Sequence, residues 1–220
     1  MAILLTPRSG YSRAERLSDA VIHIVGLILA GLAVPVLILI AVTRHGEWTV
    51  VTATAVYGVT LLAMLACSAI YNMSNAERWL PVFKRMDHSA IYLKIAGTYT
   101  PVIALTGGAG LPFLVGIWTA AVSGAGLKIL SPNRLRWLGL SLYLGLGWAG
   151  VIAGGGLIGA LSGPSLGFVI AGGLLYTVGV GFFLWERLPF HNTIWHGFVL
   201  AATLALYVAI LLELLSGPRT

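Results

Sequence analysis

Charged side chains are scarce in this sequence. They make up 9% of its 220 residues, whereas 58% of the residues are hydrophobic. A soluble domain carries about a quarter of its residues as charged side chains, so this chain cannot cover a water-facing surface. The composition therefore excludes a soluble globular protein and predicts an all-α polytopic membrane protein.

Cysteine is almost absent as well. The one cysteine, Cys67, lies inside an apolar run, so an intrachain disulfide is excluded and a small buried side chain is expected. The net charge of +6 does not predict nucleic-acid binding, because the basic residues form short clusters between apolar runs, as topology signals do.

Long apolar runs fill most of the chain. Seven of them cover residues 19–43, 48–72, 88–107, 111–130, 135–155, 164–185 and 193–215. Each is close to the ~20 residues that a transmembrane helix needs, and the short connections contain glycine, proline and asparagine, which break helices. We expect a single domain over 1–220: a seven-transmembrane helix bundle preceded by a short N-terminal segment, 1–18.

Basic residues orient this bundle. If the N-terminus is cytoplasmic, ten lysines and arginines lie on the cytoplasmic side and two, Arg44 and Arg219, lie outside. This asymmetry follows the positive-inside rule. It predicts a cytoplasmic N-terminus and an external C-terminus.

Polar residues gather at the predicted cytoplasmic ends of four runs. They are His23 in run one, Ser68 and Asn72 in run two, Asp87 and His88 in run three, and His191, Asn192 and His196 at run seven. The pairs Asp19/His23, Ser68/Asn72 and Asn192/His196 are each four residues apart, which places each pair on one helix face. Since polar groups at membrane depth tend to face the bundle interior, we expect a polar cavity between helices one, two, three and seven.

Structural roles compete with this interpretation at each position. Asp87 could be an acid favoured by a helix N-terminus, and Asn192 and Asn72 could cap helices. Asp19 could orient His23 in a packed core, and His191 could be a solvated loop residue. The clustering of all these residues at one end of the bundle favours a functional site.

Four motifs resemble the hemolysin III family. They are HIVG in run one, CSAIYN in run two, MDHSAIYLKIAGTYTP in run three and TIWHGFVL in run seven. That family is grouped with the progestin and adipoQ receptors and, more distantly, with the alkaline ceramidases. The resemblance covers nearly the whole chain and implies seven spans with the N-terminus inside.

The resemblance also implies a zinc site near the cytoplasmic face. The family pattern has a serine and a histidine four residues apart in the second helix, an aspartate in the third, and two histidines four residues apart in the seventh. Ser68, Asp87 and His196 match this pattern, and Asp87 would then orient a metal-bound water. Asn72 and Asn192, however, stand where two of the three histidines are expected.

Two exchanges of histidine for asparagine change the expected chemistry. A catalytic zinc has three protein ligands of the histidine, carboxylate or thiolate kind, whereas an amide oxygen suits hard cations better. We therefore expect a degenerate zinc site, a polar cluster of His23, Asn72, His88 and Asn192 bound together by hydrogen bonds. The alternative is a rebuilt metal site in which His191 joins His196, with His23 or His88 and Asp87.

Three functions are compatible with the resemblance. The first is a protein of membrane and lipid homeostasis, or one with hemolysin-like, pore-forming activity. The second is a zinc-dependent amidohydrolase of lipids, with Asp87 and Ser68 as catalytic residues and His196 and His191 as metal ligands. The third is a lipid-sensing receptor. Membrane lipids are the expected partners, and the glycine-rich helix faces would allow a homo-oligomer without requiring one.

Overall fold

Helices account for the regular structure of the described residues. The computed structural model describes residues 11–106, 110–130, 136–152 and 159–217. Seven α-helices lie in these ranges: α1 Arg13–Arg44, α2 Trp48–Met73, α3 Leu80–Leu105, α4 Leu111–Leu130, α5 Arg136–Ile152, α6 Gly163–Leu184 and α7 His191–Leu215. A short 3₁₀ turn, Glu77–Trp79, precedes α3. The prediction of an all-helical chain with one helix per apolar run is confirmed for the described residues.

Two helices begin well before their apolar runs. Helix α1 starts at Arg13 rather than at 19, because Ser12 and Glu15 form a reciprocal capping box: the Ser12 N–H donates to Glu15 Oε2 at 2.8 Å and the Glu15 N–H donates to Ser12 Oγ at 3.2 Å. These bonds satisfy backbone donors that a helix N-terminus leaves free. Helix α3 starts at Leu80 rather than at 88, with Pro81 in its first turn, where a missing N–H is tolerated.

Five of the described helices are long and apolar enough to cross a membrane: α1, α2, α4, α6 and α7. Helix α3 is long but carries Lys84, Arg85, Asp87 and Lys94, and the described part of α5 is 17 residues long. Large apolar side chains such as Leu32 and Leu130 are 68% and 81% exposed. In lipid such side chains are in a solvent as apolar as themselves, so the protein is a polytopic membrane protein.

Helices α1, α2, α3 and α7 surround the polar residues. Helix α2 packs between α1 and α3, α7 packs against α1 and α6, and α3 also contacts α4 and α7. The larger apolar core includes Leu37, Tyr57, Leu61, Ile210 and Leu214, each at most 2% exposed. A second, smaller core joins α3, α4 and α5 around Tyr92 and Ala121. The starts of α1, α3 and α7 and the end of α2 thereby meet at one end of the bundle.

Glycine allows α2 and α3 to approach closely. A Cβ at position 97 would collide with the Thr60 side chain. Thr60 cannot easily move, because its hydroxyl donates to the carbonyls of Val56 and Tyr57 at 2.9 and 3.0 Å. Small residues are the usual means by which membrane helices make such contacts.

We therefore predict that Gly97→Ala destabilises the protein by about 1–3 kcal/mol, the usual cost of overpacking. Gly31→Ala is the matched control, because no atom lies within 4 Å of a Cβ at that helical position. Thermal unfolding of the purified variants in detergent measures the difference. Equal stability of the two alanine variants would contradict the close contact between α2 and α3.

Candidate functional site

Contacts of Glu15 and Ser18 hold the start of α7 against the start of α1. Glu15 Oε1 accepts a hydrogen bond at 2.9 Å from the N–H of Phe190, the residue that precedes α7 and has a left-handed φ of 61°. Ser18 Oγ and Thr193 Oγ1 are 3.0 Å apart. These contacts fix the first turn of α7 against α1, so that Asn192 and His196 face Asp19.

Asp19 is the centre of the cluster. Its Oδ1 accepts a hydrogen bond at 2.6 Å from Nδ1 of His196, and Nδ2 of Asn192 lies 3.4 Å from its Oδ2. Its backbone carbonyl accepts a hydrogen bond at 2.8 Å from Nδ1 of His23. Asp19, His23 and His196 are all buried, and the two imidazole rings meet edge to face with 4.4 Å between centroids.

These contacts fix the proton positions on both imidazoles. A carbonyl or carboxylate oxygen can only accept, so His23 and His196 each carry a hydrogen on Nδ1. In its neutral form each ring then keeps Nε2 as its acceptor. The His23 Nε2 lies 3.1 Å from Ser68 Oγ, so the Ser68 hydroxyl donates to a neutral His23.

Two asparagines complete the network. The amide nitrogen of Asn72 donates to the Ser68 carbonyl at 3.0 Å, and its Oδ1 accepts from Asn192 Nδ2 at 3.3 Å. The Asn72 amide thus uses both its donor and its acceptor, whereas Asn192 donates through Nδ2 to Asn72 and to Asp19. Asn72 and Asn192 are therefore hydrogen-bonded to each other, and Asn72 is also hydrogen-bonded to Ser68.

Asp87 lies beside this network. It is buried, is close enough to Ser68 and His196 to interact with both, and lines the same cavity as they do. His88 also lines the cavity, but its ring packs against Tyr71 at 6.4 Å between centroids. His191 Nε2 lies 3.2 Å from the Tyr11 hydroxyl, so the structure pairs this residue with the N-terminal segment.

Sequence reasoning left Asp19 out of the set of site residues. The four-residue spacing of Asp19 and His23 was the available signal, but it indicated only a local pair. The contact that makes Asp19 central joins α1 to α7, 177 residues apart in the chain. The role of Asp19 could have been predicted from the need of a buried histidine in α7 for a hydrogen-bond acceptor.

Asp19, His23 and His196 could hold a metal ion by residue type and proximity, since one ligand atom of each lies within 4.8 Å of the others. Two imidazoles and a carboxylate are a ligand set of catalytic zinc sites. The spacing, however, fits a hydrogen bond better. A tetrahedral zinc separates its ligand atoms by roughly 3.3 Å, whereas Asp19 Oδ1 and His196 Nδ1 are 2.6 Å apart and His23 Nδ1 is bound to a backbone carbonyl.

A large cavity extends from the polar cluster into the bundle. Its volume is about 1090 Å³. Its polar end is lined by residues of this cluster and by the neighbouring Asp87. The cluster residues are His23, Ser68, Asn72, Asn192 and His196. Most of the remaining lining is apolar and comes from α3, α5, α6 and α7, including Val102, Leu144, Val169 and Leu206.

The fold and the site together define an integral membrane protein whose helices enclose a deep cavity with a buried aspartate–histidine cluster at one end. A sequence model of the Haemolysin-III related family matches residues 12–207. The chain belongs to this family, and the resemblance seen in its motifs is confirmed.

Curated relatives agree with this assignment. The chain is 34% identical to the hemolysin-3 homolog of Bacillus subtilis (strain 168) over 93% of its own length and 96% of the relative's. It is 38% identical to hemolysin-3 of Bacillus cereus over 91% and 92% of the two chains. It is 28% identical to the human monocyte to macrophage differentiation factor, over 78% of this chain and 74% of the relative.

Removal of the Asp19 carboxylate tests the centre of the network. We predict that Asp19→Ala destabilises the protein by about 3 kcal/mol, because it leaves buried donors of His196 and Asn192 without an acceptor. Glu47→Ala, at an exposed position, is the control and should change stability by less than about 0.5 kcal/mol. A double-mutant cycle with His196→Ala should give a coupling of about 1–3 kcal/mol; strictly additive effects would contradict the contact.

Metal content tests the effect of the two asparagines. We predict that the purified wild-type protein carries well under one zinc per chain, because Asn72 and Asn192 stand where the family pattern has two histidine ligands and an amide oxygen is a weak ligand for zinc. The double variant Asn72→His/Asn192→His supplies two further imidazoles and should bind zinc more tightly. Elemental analysis after purification without a metal-affinity step measures both. One zinc per wild-type chain, lost in His196→Ala, would mean that this interpretation of the site is wrong.

Proposed function

We propose that this protein takes a single-chain lipid into its cavity and serves membrane and lipid homeostasis in the bacterial inner membrane. The observation that carries the proposal is the cavity of about 1090 Å³, which joins a polar cluster to a long apolar space. Small-molecule sites usually measure about 300–1,000 Å³, so there is room for an acyl chain and a polar head. The arrangement of polar and apolar groups along the lining suits an amphiphile.

The polar cluster would supply the specificity. An acyl chain that moves from the bilayer into an apolar cavity leaves one apolar environment for another, so its burial contributes little. Affinity must then come from the head group, at Ser68, Asn72, Asp87 and Asn192. These side chains offer amide, hydroxyl and carboxylate groups, which suit a head with both donors and acceptors, such as an amide with neighbouring hydroxyls.

The proposed orientation places this cluster near the cytoplasmic surface. It rests on the ten-to-two distribution of lysine and arginine between the two sides, which favours a cytoplasmic N-terminus. A lipid head group would then enter from the inner leaflet. The outer end of the cavity would lie deep within the bundle.

The names of the two bacterial relatives refer to hemolysis, but the lining of this cavity does not favour an ion path. Ion-conducting pores carry carbonyl or charged groups along their length, and apolar constrictions exclude water. Here most of the charged and amide groups lie at one end, and the remaining lining is largely apolar, although Lys94, Thr98 and Tyr176 also belong to it. Lipid binding therefore explains the cavity better than pore formation.

Hydrolysis of a lipid amide is a second candidate, and the contact between His23 and Ser68 favours it. The distance of 3.1 Å between His23 Nε2 and Ser68 Oγ is typical of a hydroxyl and its general base. The Nδ1–H of His23 is held by the Asp19 carbonyl at 2.8 Å, which keeps the ring in the tautomer that can accept a proton. Turnover separates this candidate from a receptor or a carrier, which would bind the lipid unchanged.

Helix α5 offers a matched pair of positions to test the cavity. Gly147 lines the cavity and Gly145 does not, and no atom lies within 4 Å of a Cβ at either position. We predict that Gly147→Trp weakens binding of a radiolabelled long-chain N-acyl ethanolamine by roughly tenfold or more, because the indole fills the acyl-chain space. Gly145→Trp should bind as the wild type does.

The same titration reports hydrolysis. Release of labelled fatty acid by the wild type, and its loss in Ser68→Ala with binding retained, would establish the hydrolase. Equal lipid binding by both tryptophan variants would remove the cavity as the binding site.

A further inference from the structure

Lys94 is a buried cation near the middle of the bundle. It is 2% exposed and is the fifteenth residue of the 26-residue helix α3. At a rise of 1.5 Å per residue it lies about 21 Å from the first residue of the helix and about 17 Å from the last. Measured from residue 88, where the apolar run of α3 begins, Lys94 lies about 9 Å inside that run, and its ammonium group is held by Tyr176 of α6.

The Lys94 ammonium group begins a short chain of hydrogen bonds. Its Nζ donates to the Tyr176 hydroxyl at 2.8 Å and lies 4.8 Å from the centre of the Tyr176 ring. The Tyr176 and Thr203 hydroxyls are 2.7 Å apart. Because the ammonium group can only donate, the Tyr176 oxygen accepts from it, and the Tyr176 hydroxyl hydrogen is available to be donated to Thr203. Lys94 thereby connects α3 with α6 and α7.

This hydrogen bond leaves the charge without a counter-ion. Within the described part of the chain, no carboxylate lies within ion-pair distance of Lys94 Nζ, and Tyr176 is its one hydrogen-bond partner. An ammonium group has three donors, so two of them have no protein acceptor there. A charge at membrane depth is expensive unless it is paired, and it commonly marks a ligand site.

Lys94 lines the cavity, so a ligand in the cavity can reach it. It follows Asp87 by seven residues on α3, two helical turns, so it lies about 10 Å deeper than the polar cluster. Its neighbours along the cavity include Ile91, Ile95 and Val180. An anionic group at Lys94 would therefore continue into an apolar space.

We propose that Lys94 and Tyr176 bind the carboxylate of a long-chain fatty acid inside the cavity, at a subsite separate from the polar cluster. The proposal rests on the lipid cavity of the proposed function and adds a charged anchor to it. The carboxylate oxygens accept the free N–H groups of Lys94 and neutralise its charge, and such a charge-assisted bond is stronger than one between neutral groups.

The depth of Lys94 selects a carboxylate over the phosphate of a two-chain lipid. Lys94 lies about 10 Å deeper than the polar cluster at the end of the bundle, so a phospholipid would have to draw its head group that far into the hydrocarbon layer, which is about 30 Å thick. A fatty acid can enter as a whole molecule, with one chain and one charge. A single-chain phosphate shares this property, and the experiment separates the two.

Equilibrium binding of three labelled probes to the purified protein tests the subsite: palmitate, hexadecanol and palmitoyl lysophosphatidic acid. We expect Lys94→Met to weaken palmitate binding by roughly tenfold or more, with hexadecanol binding unchanged. Lys94→Arg keeps the charge and should stay within about threefold of the wild type. Tyr176→Phe removes one hydroxyl and should have a smaller effect than Lys94→Met.

The probes also separate this proposal from the proposed function. Retained hexadecanol binding shows that Lys94→Met is folded and that the cavity is intact, and removal of a buried charge is often tolerated. Unchanged palmitate binding in Lys94→Met would overturn the subsite alone, and so would a loss confined to the lysophosphatidic acid. Failure of the wild type to bind any of the three probes would overturn the lipid cavity itself.

Discussion

The hydrogen bond between Asp19 and His196 is the contact on which the rest of the site depends. It joins the start of α1 to the start of α7 at 2.6 Å, within a protein that has few charged groups to spare. A buried carboxylate is costly unless its oxygens are satisfied. Here His196 and Asn192 approach the carboxylate, and His23 approaches the carbonyl of the same residue. The positions of both histidines therefore follow from Asp19.

This contact also explains why two asparagines are compatible with an ordered site. The network around Asp19 needs donors that face its carboxylate and groups that link them, and Asn192 donates to Asp19 and to Asn72, which in turn donates to the Ser68 carbonyl. A metal ion held by Asp19 Oδ1 and His196 Nδ1 themselves would need these two atoms to stand farther apart than 2.6 Å. The two asparagines and the pairing of Asp19 with His196 are thus parts of one hydrogen-bonded arrangement that joins α1, α2 and α7.

The sequence predicted what depends on local pattern and missed what depends on packing between helices. The apolar runs gave one helix each, and the spacing of four gave the pairs Ser68/Asn72 and Asn192/His196, which the structure places in one cluster. The starts of α1 and α3 were predicted too late because the first turns of both helices lie before the apolar runs. Helix α1 begins at a capping box, and α3 begins with a proline in its first turn. The central role of Asp19 and the pairing of Lys94 with Tyr176 join distant segments, which no spacing along the chain encodes.

The membrane setting determines how such a site can discriminate between ligands. In water, an apolar cavity gains affinity from every methylene group that it buries, but in a bilayer the acyl chain is already in an apolar solvent. Discrimination must then rest on polar groups held at fixed depths. This protein has two sets of these, the Asp19 cluster at the end of the bundle and Lys94 about 10 Å deeper along α3. For the proposed lipid ligand, the distance between them would set where a head group rests, and the apolar lining beyond them would determine which chains can follow it.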